Sequence, residues 1–143
     1  MVTLVLYKPQ IPPNTGNIMR LCSNTGFNLH LIKPLGFNLD DKSLRRAKLD
    51  YFSSTTPIVY ESLELYCQNI NLHNLIIITK FGKKKYTDAK FTDNSIIIFG
   101  SEITGLPKGF IEKYKSLTFR IPMLSQSRSL NLSNAAAIIA YEA

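Results

Sequence analysis

Three short segments gather the side chains that can hold or orient a ligand. The first reads Pro12-Pro13-Asn14-Thr15-Gly16-Asn17-Ile18-Met19-Arg20. Its prolines fix the entry to a helix, Asn14 and Asn17 offer amide groups near the helix start, and Gly16 permits close backbone approach. Arg20 projects further along, and a guanidinium there suits a phosphate or a ribose oxygen. The second, Ile97-Ile98-Phe99-Gly100-Ser101-Glu102-Ile103-Thr104-Gly105-Leu106-Pro107, is an apolar run entering a loop with two glycines. Ligands of open α/β sheets sit beyond the carboxyl ends of strands, which makes Glu102 a carboxylate at a ligand site. The third joins Arg120-Ile121-Pro122-Met123 to Ser127-Arg128-Ser129-Leu130-Asn131-Leu132-Ser133-Asn134, dense in hydroxyl and amide groups just ahead of an apolar helix.

Each segment also has a plainer reading. Proline, asparagine and glycine before a helix are ordinary punctuation. Glu102 suits a cap on the next helix, and the polar groups of the third segment suit capping one by one. The seven glycines never fall at the spacing of a phosphate-cradling Walker loop or a Gly-x-Gly-x-x-Gly fingerprint, so an ordinary dinucleotide or nucleoside-triphosphate site is not expected.

The elements that must position these segments alternate. Apolar or β-branched runs at Val2 to Tyr7, Asn28 to Ile32, Pro57 to Tyr60, Leu75 to Thr79, Ser95 to Phe99 and Leu117 to Ile121 read as strands. Helical spacing falls between most of them: Ile18, Leu21 and Cys22; then Leu63, Tyr66 and Cys67; then Phe110 and Tyr114. Asn14 reads as a cap before the first helix and Gly26 as its stop, while Asp40 or Asp41 opens the arginine-bearing segment. Leu75 to Thr79 and Ser95 to Phe99 are apolar on both faces, as in parallel strands covered on both sides. The expected class is α/β, an open, mostly parallel sheet with helices on both faces, in one domain over residues 1–143. The last segment, Asn131 to Ala143, is apolar nearly all round. Such a helix is buried on several sides, either inside a monomer or partly by another subunit.

Composition narrows the partners. With 45% hydrophobic and 19% charged residues the chain is too apolar to be disordered. No basic start precedes an apolar stretch and no run is long enough to span a bilayer, so neither export nor a membrane is expected. Cys22 and Cys67 read as buried thiols, which fits a reducing cytoplasm, and with only His30 and His73 beside them no metal is expected. The net charge of +7 is clumped at Lys42, Arg45, Arg46 and Lys48, and again at Lys80, Lys83, Lys84, Lys85 and Lys90. Clumped positive charge draws a polyanion through counterion release, so nucleic acid is the natural partner; a merely basic, solvated surface is the alternative.

In this order, the segments Asn14-Thr15-Gly16-Asn17-Ile18 with Arg20, Phe99-Gly100-Ser101-Glu102 with Gly105-Leu106-Pro107, and Ile121-Pro122-Met123 with Ser129-Leu130-Asn131-Leu132-Ser133-Asn134-Ala135 resemble the three motifs of the SPOUT RNA 2'-O-methyltransferases. Leu6 to Pro13 and Asp40 to Tyr51 look like the small subgroup that methylates the ribose of the tRNA wobble nucleotide, cytidine or uridine. The match runs almost end to end.

The resemblance implies a C-terminal trefoil knot, which general topology rules would not suggest. It implies S-adenosylmethionine held in the knot loops by Gly100, Ile121, Ser129 and Leu130, with Ile78 on the preceding strand. It places Arg20 in the catalytic set, where Asn14 and Glu102 are expected beside it, and the two charge clusters put Arg45, Arg46, Lys83, Lys84 and Lys85, with Tyr141, on tRNA. It further implies a homodimer through the knot helices, in which the first motif of one subunit meets the cofactor of the other. A guanidinium stays protonated in proteins, so Arg20 is expected to orient a phosphate and stabilise a developing alkoxide, with phosphate, water or Glu102 receiving the proton. Two other readings share these features: a ribosomal RNA 2'-O-methyltransferase, and a non-catalytic basic RNA-binding module.

Overall fold

The computed structural model describes residues 1–39, 42, 56–127 and 129–143. Among them seven strands form one sheet: β1 (Thr3–Tyr7), β2 (Asn28–Ile32), β3 (Ile58–Tyr60), β4 (Leu75–Ile78), β5 (Lys84–Lys85), β6 (Ile96–Phe99) and β7 (Thr118–Arg120). The helices are α1 (Pro12–Thr25), α2 (Leu63–Gln68), α3 (Lys108–Lys113) and α4 (Leu132–Glu142). The strand order is β3-β2-β1-β6-β4-β7-β5, and every pairing is parallel.

Side-chain alternation along these strands divides the core in two. Leu4, Leu6, Ile76, Ile78, Ile97 and Phe99 pack with Ile18, Met19 and Cys22 of α1 and Ala136, Ile139 and Ala140 of α4. Val5, Tyr7, Leu75, Ile77 and Ile98 face the other way, onto Tyr66 of α2 and Ile111 of α3. Central strands loaded on both faces need apolar residues at every position, and all five residues of β1 and all four of β4 are buried. A side chain that enters water from either strand therefore costs one face or the other its cover.

The sequence reading of the six apolar strands agrees with the sheet to within a residue or two at the ends. It missed β5, two exposed lysines that pair with Phe119 and Arg120 of β7 at the sheet edge. Lysine is a common way to keep an edge from pairing with another chain, so this strand carries the signature of a surface rather than of a sheet. Asn14 is not a cap: α1 begins at Pro12, with two prolines in its first turn and Ile11 at the cap position, which places Asn14 inside the helix and buried. Gly26 ends α1 in the left-handed region at φ 75°, as expected. Asn131 caps α4, its Oδ1 accepting from the backbone nitrogens of Ser133 and Asn134 at 2.9 and 3.3 Å. Asp40 and Asp41, together with Arg45, Arg46 and Lys48, lie outside the described residues.

α4 presents Leu132, Ala136, Ile139 and Ala140 to the core and leaves Ile138 and Tyr141 exposed. Both cysteines are free; burial pushes the Cys22 thiol up to about 12, and it raises Cys67 as well, against the opposing pull of Lys113. No helix of the described residues is long and apolar enough to cross a membrane.

The turn after β4 lies flat on β7. A Cβ at Gly82 would collide with the carbonyl carbon of Phe119 and stand 2.5 Å from the Arg120 nitrogen, both backbone atoms that no rotamer change can move aside. Gly82→Ala should therefore destabilise the fold by about 1–3 kcal/mol, the usual range for overpacking. A lower urea midpoint with an unchanged slope is the expected reading, and an unchanged midpoint would mean that β7 yields freely.

Candidate functional site

Where β4, β6 and β7 stop, the chain leaves a pocket of about 570 Å³. Its apolar lining comes from Ile78 at the end of β4, Phe99 at the end of β6, Ile121 just past β7, and Leu132 and Ala135 on α4. Its polar rim includes Asn14, Ser101, Glu102, Ser129 and Asn131. The position beyond the carboxyl ends of parallel strands and the volume both suit a small-molecule site. The loop after β6 closes tightly: Ser101 and Gly105 pair through 2.9 and 3.3 Å backbone hydrogen bonds. A Cβ on Gly100 would stand 2.7 Å from the Gly105 carbonyl carbon, so the loop can fold back this closely only on a glycine.

One hydrogen-bonded chain of side chains ties the three polar segments together. The Glu102 carboxylate accepts from the backbone nitrogens of Gln10 and Ile11, at 2.9 Å each, and from the Asn14 amide at 3.3 Å. Asn14 Oδ1 in turn accepts from Nδ2 of Asn131 at 3.1 Å, and Asn131 Oδ1 caps α4. The physical reason lies in α1. Its cap position is an isoleucine with no side-chain acceptor and its first two residues are prolines, so the N–H groups of Gln10 and Ile11 at the entry find their acceptor elsewhere in the chain. Glu102 supplies it from the loop after β6. Of the two readings of Glu102, the plainer one, a cap on the helix that follows it, does not hold: α3 has Pro107 at its cap and receives no side-chain bond there.

The sequence-predicted residues separate into three groups. Asn14, Ile78, Gly100, Glu102, Ile121, Ser129 and Leu130 line one pocket. Arg20 is exposed on α1 and does not line it, and Tyr141, also outside it, is 71% exposed near the end of α4. Lys83, Lys84 and Lys85 are exposed along the edge of the sheet, while Arg45 and Arg46 lie outside the described residues. Sequence reasoning did not pick out Ile11, Lys80 and Phe81, which also line the pocket. The rule that pointed to the loop holding Glu102, namely the residues just after a buried strand, points equally to Lys80 and Phe81 after β4. In the sequence Lys80 stands out only as part of a charge cluster. Among the described residues no group of three or more His, Cys, Asp or Glu is placed to hold a metal ion.

Other titratable groups with displaced values sit elsewhere. Burial holds His30 below its usual range and raises Tyr66, with Tyr60 and Cys67 adding to the latter. His30 Nδ1 and the Tyr66 hydroxyl share a 2.9 Å hydrogen bond beneath Tyr60, away from the pocket lining. Their perturbation belongs to the packing of β2 and β3 against α2.

A family model described as the SpoU rRNA Methylase family matches residues 1–141. The chain is 44% identical over 144 residues to the tRNA (cytidine(34)-2'-O)-methyltransferase of Methylovorus glucosotrophus, covering 100% of this chain and 94% of that protein. It is likewise 44% identical over 144 residues to the protein of the same name from Escherichia coli strain K12, covering 100% of this chain and 92% of that one. A solved structure described as "Structural insights into the 2-OH methylation of C/U34 on tRNA" matches with a TM-score of 0.89 at 35% identity, over 99% of this chain and 93% of the other. The fold alone is shared, at 23% identity and a TM-score of 0.84, with the SpoU methyltransferase AviRb from Streptomyces viridochromogenes, over 98% of this chain and 55% of that one. On the match across nearly its whole length, the chain belongs to the SpoU rRNA methylase family.

Proposed function

We propose that this protein transfers a methyl group from S-adenosylmethionine to the ribose 2'-oxygen of the wobble cytidine or uridine of tRNA, and that it does so as a homodimer. The observation that carries the reading is the pocket in which all three motif segments meet, joined by the Glu102–Asn14–Asn131 chain. The relatives named for cytidine 34 of tRNA match across the whole chain, which favours tRNA over the ribosomal RNA alternative.

The residues present fit the cofactor. An apolar floor of Ile78, Phe99, Ile121 and Leu132 suits the adenine and the carbons attached to the sulfonium, and Ser129 offers a hydroxyl to ribose or amino acid. When bound, S-adenosylmethionine supplies a sulfonium methyl that is already a strong electrophile, which leaves positioning as the protein's main task. Gly100, Ile121, Ser129 and Leu130 hold the donor side. Asn14 is held on both sides, through Nδ2 to Glu102 and through Oδ1 to Asn131, so it keeps the two loops in register. Glu102, already accepting from three donors, acts as a positioning residue, and phosphate or water takes the 2'-hydroxyl proton.

Arg20 stands outside the pocket of its own chain, and a second subunit is the natural source of the guanidinium that faces the oxyanion. α4, with Ile138 and Tyr141 outward, supports a helix-to-helix pairing. Lys83, Lys84 and Lys85, with Arg45 and Arg46, would track phosphates, and Tyr141 would contact tRNA near the pairing face. The trefoil knot also belongs to this reading: from β4 the chain runs to the edge at β5, returns to β6 between β1 and β4, then re-enters as β7 between β4 and β5. The free thiols of Cys22 and Cys67 suit a reducing cytoplasm.

Calorimetry with S-adenosylmethionine, followed by mapping of labelled methyl groups on tRNA transcripts, tests the activity. Saturable binding and a single ribose-methylated wobble nucleotide are expected. RNA binding without cofactor binding would leave the non-catalytic module, and methylation confined to ribosomal RNA fragments would favour the other enzyme.

Glu102→Gln should act first on structure. An amide presents a donor to at least one of two backbone N–H groups, so urea unfolding should show a loss of about 1–3 kcal/mol. Catalysis should weaken through substrate positioning with the shape of the pH–rate profile kept. Loss of a limb of that profile would instead make Glu102 a proton acceptor.

Mixing Arg20→Ala subunits with Gly100→Ala subunits should restore activity, because one site of each mixed dimer carries neither lesion. Mixtures that stay inactive despite demonstrated subunit exchange would place Arg20 in the site of its own subunit.

A further inference from the structure

We infer that Phe81 is a stacking platform for a nucleobase of the single-stranded RNA loop presented to the pocket, an inference that rests on the methyltransferase reading above. A single exposed apolar residue is normal on a protein surface, so exposure alone argues nothing. Three further observations do.

The first is rigidity. The backbone from Thr79 to Lys83 is pinned to β7 and to itself: Thr79 N donates to Phe119 O at 3.0 Å, Gly82 N to Thr79 O at 3.0 Å, and Phe81 N to Thr79 Oγ1 at 3.3 Å. Arg120 Nη1 donates to the carbonyls of Gly82 and Lys83 at 3.2 Å each, and Lys83 N donates to Thr118 Oγ1 at 3.2 Å. A tightly held turn thus carries a phenyl ring that is 67% exposed. The second is place, since Phe81 lines the pocket alongside Lys80, Gly100 and Met123. The third is company. Lys80 Nζ stands 5.1 Å from the centre of the ring, and Lys83, Lys84 and Lys85 continue from the turn along the exposed edge strand.

An aromatic face followed by a line of cations matches what a single-stranded nucleic acid needs. The base stacks on the ring and the backbone phosphates follow the lysines. A ring stacks on any base, which provides affinity without reading sequence. It leaves the ribose of the stacked strand close to the pocket mouth, where the 2'-oxygen must arrive.

The test uses the full chain, S-adenosylmethionine, and a tRNA anticodon stem-loop. Phe81→Ala should raise KM for the stem-loop by about 5- to 150-fold, the range for losing one stacked base. Cofactor affinity and sedimentation should stay as in the unaltered protein, and Phe81→Trp should restore KM. Walking an abasic nucleotide through the loop should find one position where the wild type loses affinity and Phe81→Ala loses nothing more. Unchanged KM in Phe81→Ala would overturn the inference, as would weakened cofactor binding, which makes Phe81 part of the donor site, or a shift in oligomeric state, which makes it a subunit contact. Stem-loop binding measured without turnover keeps the two readings apart. If the wild type proves unable to methylate, the function proposed above fails, while a loss of RNA affinity in Phe81→Ala still supports the platform.

Discussion

The carboxylate of Glu102 is the point on which the geometry of the pocket turns. Helix α1 starts with two prolines, which carry no N–H, and the backbone N–H groups of Gln10 and Ile11 just ahead of them need an acceptor that the neighbouring residues do not supply. The acceptor comes from the loop after β6, 91 residues further along the chain. Because the same carboxylate also receives the Asn14 amide, and Asn14 receives Asn131, the entry of α1, the loop after β6 and the cap of α4 become one rigid corner. The bonds to the Glu102 carboxylate are charge-assisted and so stronger than the neutral Asn14–Asn131 bond that continues the chain, and linked bonds of this kind polarise one another. Closing the corner also fixes the distance between the pocket's polar rim and its apolar floor.

The sheet makes that corner possible by bringing the ends of β4, β6 and β7 to one side. Parallel pairing puts every carboxyl end on the same edge, and the insertion of β6 between β1 and β4 sets its loop beside the start of α1, which follows β1. Register does the rest. Leu6 pairs with Phe99 and Ile78 pairs with Phe99, so the three strands end almost level and the pocket has a flat apolar floor. Gly100 then allows the chain to fold back at once without closing the space above.

Around this floor the molecule divides its tasks by chemistry. The donor side is apolar and glycine-lined, which fits a ligand recognised largely by shape and backbone. Lys80 and Lys108 reach the lining, while Arg20 on α1 and Lys83, Lys84 and Lys85 along the edge of the sheet stand away from it, where a long polyanion can reach several cations together.

Much of the fold was readable from residue type alone. Runs such as Leu75-Ile76-Ile77-Ile78 and Ile96-Ile97-Ile98-Phe99 are apolar at every position, a demand that only a strand covered on both faces makes. Gly26 marked the stop of α1, and the polar start of the last segment was suited to capping α4, because those roles depend on local backbone geometry. Asn14, Ile78, Gly100, Glu102, Ile121, Ser129 and Leu130, which the family resemblance and not residue type singled out as a set, line one pocket. What local pattern left undetermined was every role that depends on a partner far along the chain. Nothing near Glu102 tells that its acceptors serve α1 rather than α3, and nothing near Asn14 tells that it is a buried link instead of a cap. A two-residue strand of lysines reads as surface until β7 pairs with it, and a phenylalanine reads as core until the turn that holds it proves to face solvent. Local periodicity and capping are written in neighbouring residues, whereas hydrogen-bond partners and exposure are set by which distant segments the sheet brings into contact, and that is decided only when the whole chain has packed.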